Sequence, residues 1–281
     1  MPDNTFDHSR ASSFSRGIAW LVQSLTLLRM QSGRLLLIAV FMQVILGLTQ
    51  LPLIGMLIII SVPALSAGVL EALDVTSRGG RPGLNLLFKP LTSGTHSGRL
   101  FLMGLLVFAV GILSISLMLS GSEDLLDPEM VSRIEQGDID ALTELDQGSL
   151  GKMVMAFLVG LSISGTLSYF TIPLIWFGNR GLGQALAEGI KALVVHWKPF
   201  LTLALGLFLI SIPVVVVAGL LIGMAASGGL VSIIVMACMM ILLLAFQMLL
   251  FASQYCAFRD IFGIGDRSGP PSKKDDGQLV A

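Results

Sequence analysis

The chain has 281 residues, 54% of them hydrophobic and 12% charged, with a formal net charge of −1 and a mean hydropathy of +0.86. Soluble domains carry about 25% charged residues, so this composition excludes an ordinary water-soluble domain. Two cysteines, Cys238 and Cys256, sit in the last apolar run without CxxC or Cys/His spacing. That excludes a zinc site and a disulfide framework and leaves the expectation of thiols buried between helices.

The first residues, 1–15, are polar and Ser-rich, and are expected to be a disordered N-terminal tail. Two acids precede Arg10 and no small-residue cleavage site follows a short apolar core, so the start does not fit a signal peptide. Ile18, Leu21, Val22, Leu25 and Leu28 then recur with a helical period. That segment is too short to span a bilayer and suits a helix lying in the membrane interface.

Leu35 to Leu73 contains no Lys, Arg, Asp or His, and its one acid is Glu71. One span takes about 20 residues, so this run predicts two spans folded back at Thr49–Pro52. Pro52 suits the first turn of the second helix, and Pro63 inside that helix predicts a kink. Residues 74–99 form a polar connection with a short apolar face at Leu84, Leu87, Phe88 and Leu91. A third span runs from about Leu100 to Leu119.

Residues 120–150 carry nine acids and one base, Arg133. Asp127-Pro128-Glu129 reads as a helix start, so short helices are expected there, with Met130, Ile134, Leu142 and Leu145 facing the spans. The acids lack the spacing and the central glycine of an EF-hand, and the loop reads as a solvated cap. A fourth span covers about Met153 to Phe177. A third amphipathic segment follows, with Leu182, Leu186, Ile190, Leu193 and Trp197 on one side. A fifth span, kinked at Pro213, covers about Phe200 to Ile222, and a sixth about Leu230 to Ala257. The fold class is an all-α membrane protein: six transmembrane helices in hairpin pairs with three short interfacial helices, spanning 16–263. The tail 264–281 is expected to be disordered.

Charge gives the orientation. There are seventeen Lys and Arg, and with six spans all but Arg133 and Lys152 fall on the side of both termini. Basic residues near span ends mark the cytoplasmic face, so both termini are expected in the cytoplasm and the acidic loop outside.

Two stretches match in pattern. SVPALSAG at 61–68 is followed by an aromatic-Lys-Pro ending at Pro90, and TIPLIWFG at 171–178 by one ending at Pro199. Pro63 and Gly68 correspond to Pro173 and Gly178. SGRL occurs at 32–35 and again at 97–100. The repeated unit is an interfacial helix, a basic residue and two antiparallel spans, giving parallel rather than inverted repeats. Ala156, Gly160, Ser164 and Ser168 form a ladder of small residues along span 4, and Gly219 and Gly223 a shorter one in span 5. Such ladders let helices pack closely in lipid.

No ionisable residue lies deep in a span, where an ion-coupled pump would place one. Gln43 and Gln247 are the deepest amides. They are expected to make an interhelical hydrogen bond or to line a solute path. His8, His96 and His196 have no partner at metal-ligand or triad spacing, and no GxSxG, HExxH, Walker or GxGxxG motif occurs. No cofactor, metal or enzyme activity is expected, and no nucleic-acid partner. The basic rim adjoins interfacial apolar faces, so membrane lipids are the expected partners, beside a second copy or a membrane-protein partner.

LPLIG at 51–55, VPALSAG at 62–68 and YCAFRDIFG at 255–263 resemble motifs of an uncharacterised family of proteobacterial six-span inner-membrane proteins. The resemblance covers roughly 17–263 and implies a bacterial cytoplasmic membrane location. It carries no activity. It marks Tyr255, Arg259 and Asp260, with Phe258, Ile261 and Phe262, as an ordered helix exit whose charges face partners or headgroups. The expected role is a membrane scaffold or a facilitator for a lipid or small solute. The alternatives are a transporter with a path between the kinked spans 2, 4 and 5, and an accessory subunit of a membrane complex.

Overall fold

Nine helices and no strand make up the described residues of the computed structural model, which are 13–119, 132–133, 147–225 and 229–263. The expectations for the tails and for most of the acidic loop lie outside them. In chain order the helices are α1 (Ser15–Met30), α2 (Ser32–Gly47), α3 (Pro52–Ser77), α4 (Asn85–Phe88), α5 (Thr95–Leu119), α6 (Gln147–Trp176), α7 (Leu182–Val195), α8 (Trp197–Ala225) and α9 (Gly229–Phe262). Short 3-10 turns extend α2 over Leu48–Gln50 and follow α4 over Lys89–Leu91. Six of the helices, α2, α3, α5, α6, α8 and α9, are long and apolar enough to cross a membrane. The chain is an all-α, multi-pass membrane protein.

The helix ends follow local chemistry. Pro52 occupies the first turn of α3, where its missing N–H costs nothing. The sixth span runs further than the apolar run alone predicts, because the polar exit Phe258–Phe262 stays helical. Gly263, at φ 61°, ends it in the left-handed region that suits glycine. The three interior prolines, Pro63, Pro173 and Pro213, all lie inside continuous helices.

The order interfacial segment, span, span occurs three times, and the segments pack in a cycle. α4 lies on α3, α7 on α6, and α1 on α9 and α8. Each interfacial segment thus sits on the second span of the unit before it, and α1 closes the ring against the last span. α3 packs more extensively on α5 than on its own hairpin partner α2, and α5 packs most extensively on α6.

The core is concentrated at the end of the bundle that carries the interfacial segments. Ala64 to Leu73 of α3, Phe170 to Ile175 of α6, and Ala252 to Phe258 of α9 are buried there almost throughout. Phe170 is the hub of an aromatic cluster, with Phe200, Phe258 and Phe262 at centroid distances of 5.4, 6.5 and 5.4 Å. Helix α3 is central, with 56% of its most apolar stretch buried, whereas α8 has 0%. The exposed Leu, Ile, Val and Met of α8 and of the far half of α9 form the surface that meets lipid tails, which are as apolar as Leu itself.

On two interfacial helices the face packed on the bundle is not the one that apolar periodicity picks out. On α1 the buried residues are Gly17, Trp20, Ser24 and Leu27, while Ile18, Val22 and Leu25 are exposed. On α7 they are Ala185, Gly189 and Ala192; Ile190 is exposed, and Trp197 is exposed at the start of α8. Lipid solvates apolar side chains, so close backbone approach decides which face turns inward. Gly17 shows this. A Cβ there would collide with the Pro199 carbonyl and approach the Leu203 backbone nitrogen to 2.8 Å. The thiol expectation is corrected as well: Cys256 is buried, but Cys238 is exposed on the far half of α9.

Candidate functional site

The chemistry of the molecule gathers where the interfacial segments meet the span ends. Asp260, near the end of α9, takes two donors from α1. Arg16 lies 2.5 Å from Oδ1, and the Trp20 indole N–H donates to Oδ2 at 2.8 Å. Glu71, one turn before the polar end of α3, is held in the same way. Lys89 pairs with Oε1, and the Trp176 indole donates to Oε2 at 2.9 Å. Lys89 also sits 5.8 Å from the Trp176 ring centroid, within cation–π range. His96 meets that ring edge-on at 5.7 Å. At two junctions, then, one carboxylate joins one tryptophan and one cation. Charge-assisted hydrogen bonds of this kind are about twice as strong as neutral ones.

The exit motif fills the space between these clamps. The Tyr255 hydroxyl donates to Asp74 Oδ1 at 2.8 Å and lies 2.9 Å from Ser77 Oγ. Arg78 pairs with the other Asp74 oxygen at 2.8 Å. Arg259 donates to Ser77 Oγ at 3.3 Å and stacks 5.8 Å from the Tyr255 ring centroid. Tyr255, Arg259 and Asp260 therefore come together at one rim, the first two sharing Ser77 and the third bound to Arg16 and Trp20. Arg99, at the start of α5, donates to Asn179 Oδ1 at 3.1 Å and to the Arg180 carbonyl at 3.2 Å. Asn179 has a positive φ of 49°, a conformation that asparagine tolerates.

A cavity of about 570 Å³ opens at this rim, between α1 and the ends of α3 and α9. Its polar wall is Gln23, Thr26, Ser77, Tyr255, Arg259 and Asp260; Val22, Leu27, Met30 and Cys256 supply the apolar part. A second, larger cavity of about 720 Å³ lies between α2 and α9, and both Gln43 and Gln247 line it. The rest of its wall is aliphatic, with Met236, Met239 and Met240 prominent. Among the described residues, no cluster of His, Cys, Asp and Glu has the grouping to hold a metal ion.

The remaining singled-out residues scatter. Pro63 and Pro173 are buried in the core, but Pro213 is exposed on α8, which packs chiefly on α1 and α9. Among the described residues, Pro63 and Pro173 are packed in the core while Pro213 lies away from them on the exposed face of α8. Gly68 holds the α3–α4 junction, since a Cβ there would collide with the Leu87 carbonyl. Gly178 does a different job, in the turn just past the end of α6. In the small-residue ladder of α6, Gly160 faces Ser114 of α5, with 3.4 Å available to a Cβ. Ser164 and Ser168 are half-buried, and Ala156 lies on the same helix. Gly219 faces open space.

Sequence reasoning noted Glu71 and Asp260 near span ends but not what holds them. Trp20, Trp176, Arg16 and Lys89 were the missed partners. The available signal was the placement of two tryptophans at the level of the basic rim, where amphipathic rings settle. Compared with protein families, curated proteins and solved structures, the chain matches none.

Proposed function

We propose that this membrane protein is a scaffold that holds lipid at its basic rim. The reading rests on the rim cavity. A guanidinium, two hydroxyls, a phenol, an amide and the Asp260 carboxylate, itself held by Arg16 and Trp20, face an opening whose other wall is apolar. That pairing suits an amphiphile with an anionic headgroup, whose phosphate would lie near Arg259 and whose first methylenes would lie along Val22 and Leu27. Placement of the rim on the cytoplasmic face of a bacterial inner membrane, with both termini inside, is part of the proposal and is supported by the asymmetry of Lys and Arg. Membership in the six-span proteobacterial family is likewise part of the proposal and rests on the motifs at 51–55, 62–68 and 255–263. The reading includes no catalytic step.

Purification in native lipid followed by mass spectrometry tests this. Wild type should retain about one anionic phospholipid per chain against exchange into phosphatidylcholine, and Arg259→Gln should lose it. Equal exchange of anionic and zwitterionic lipid by wild type would refute the proposal. The transporter alternative is weakened by the separation of Pro213 from Pro63 and Pro173.

A further inference from the structure

The aromatic-Lys-Pro motif occurs twice, and its cation is neutralised only once. At Phe88-Lys89-Pro90 the lysine pairs with Glu71 and sits over the Trp176 ring. At Trp197-Lys198-Pro199 the lysine takes no carboxylate among the described residues. Its ammonium lies 6.0 Å from the Trp197 ring centroid, and that ring is 54% exposed. The cause is in the preceding span. Glu71 stands three residues past Gly68, on a helix that continues to Ser77. Three residues past Gly178 stands Gly181, and α6 has already ended at Trp176. The acid of α7, Glu188, is taken by Arg180 and Gln184.

The surroundings say what meets Lys198 instead. Trp197 heads a stripe on α8: Leu201, Leu205, Leu209 and Ile212 follow it at helical spacing, all exposed. That stripe belongs to the surface that meets lipid tails. A tryptophan at its head stands where hydrocarbon gives way to headgroups, the level at which amphipathic rings settle. A lysine beside it can lay its methylenes along the apolar surface and carry its charge outward. Phosphate is the anion that a bilayer presents at that level. Phe14, just before α1, meets the Trp197 ring edge-on at 6.4 Å and is itself exposed, so the start of α1 is tied to the same depth.

We propose that Trp197 and Lys198, with Phe14 against the ring, anchor the α7–α8 elbow in the headgroup region of the bilayer, Lys198 taking a lipid phosphate where Lys89 takes Glu71. This surface is separate from the rim cavity and stands whether or not that cavity holds lipid.

The test uses the full chain in phosphatidylcholine vesicles whose acyl chains carry bromine either near the headgroup or near the terminal methyl. Bromine quenches tryptophan emission at short range, and the difference between wild type and Trp197→Phe isolates this ring from Trp20 and Trp176. Bromine near the headgroup should quench Trp197 at least about twice as strongly as bromine near the methyl end, as an interfacial ring requires. Lys198→Arg should keep that ratio. Lys198→Glu sets a carboxylate against phosphate and should cut the shallow quenching by about half or more. Stronger quenching by the deep bromine would overturn the anchor, because the ring would then lie among the tails. Absence of quenching by either would also overturn it, because water, a second copy or another protein would then cover the ring. Unchanged shallow quenching in Lys198→Glu would overturn the phosphate contact.

Discussion

The indole N–H of Trp20 donates to Asp260 across 240 residues of sequence, at 2.8 Å. This bond fastens the first helix to the last and closes the cycle of three units. The ring of Trp20 packs on Phe200 at a centroid distance of 5.3 Å, so the residue joins α1 to α8 as well. Trp20→Phe keeps most of that packing and removes only the donor. A hydrogen bond to a charged group contributes about 1.5–3 kcal/mol, and partial exposure of Asp260 puts this one near the lower end. Trp20→Phe should lower the unfolding temperature in detergent, while Ser13→Ala, at an exposed residue just before α1, should not.

Glu71 and Trp176 form the matching clamp, and their energies should couple. Glu71→Gln retains an acceptor for the indole but loses the charge that Lys89 neutralises. Glu71→Leu strands both donors and should cost more. Groups that share one network show coupling of about 0.5–3 kcal/mol in double-mutant cycles. A cycle of Glu71→Leu with Trp176→Phe should therefore be non-additive, with the double variant less damaged than the sum of the singles.

Backbone contact at Gly68 gives a steric prediction. Gly68→Ala drives a methyl into the Leu87 carbonyl, and overpacking of this kind costs about 1–3 kcal/mol. Gly111→Ala is the control, because nothing lies within 4 Å of a Cβ there. The first variant should lose stability and free α4, read as faster proteolysis after Arg81. The second should be neutral or slightly stabilised, since alanine favours helix over glycine.

Cys238 and Cys256 differ in exposure, and a thiol reagent reports it. With the folded protein in detergent, where water reaches the outer surface of α9, a small maleimide should modify Cys238 and spare Cys256 until the bundle is unfolded. Modification of both at equal rates would mean that the α9 end is not packed as described.

The six spans were legible because bilayer thickness dictates the length of an apolar run, and each unit reuses that length. The basic rim was legible from the uneven distribution of the seventeen Lys and Arg, all but Arg133 and Lys152 on one side, because their placement is set by topology rather than by contacts. The packing faces of α1 and α7 were not. In water, Ile18 and Ile190 would turn inward; in lipid, Gly17 and Gly189 do, because small residues admit a neighbour. The two clamps were equally hidden, since no local pattern pairs Glu71 with a tryptophan 105 residues away. Gln43 and Gln247 stood out as the deepest amides, yet their facing one cavity is a product of how α2 meets α9. The neighbours of the three proline-bearing spans were hidden for a related reason: hydropathy gives each span a length, not a neighbour, and α8 packs chiefly on α1 and α9.

The most direct measurement is labelling of single cysteines in intact cells with a membrane-impermeant maleimide, in a background lacking Cys238 and Cys256. Arg81→Cys and Lys191→Cys should remain unlabelled until the membrane is permeabilised, and Asp138→Cys should label at once. Labelling of the first two from outside, or protection of the third, would contradict the threading on which the rim, its cavity and the proposed lipid site all depend.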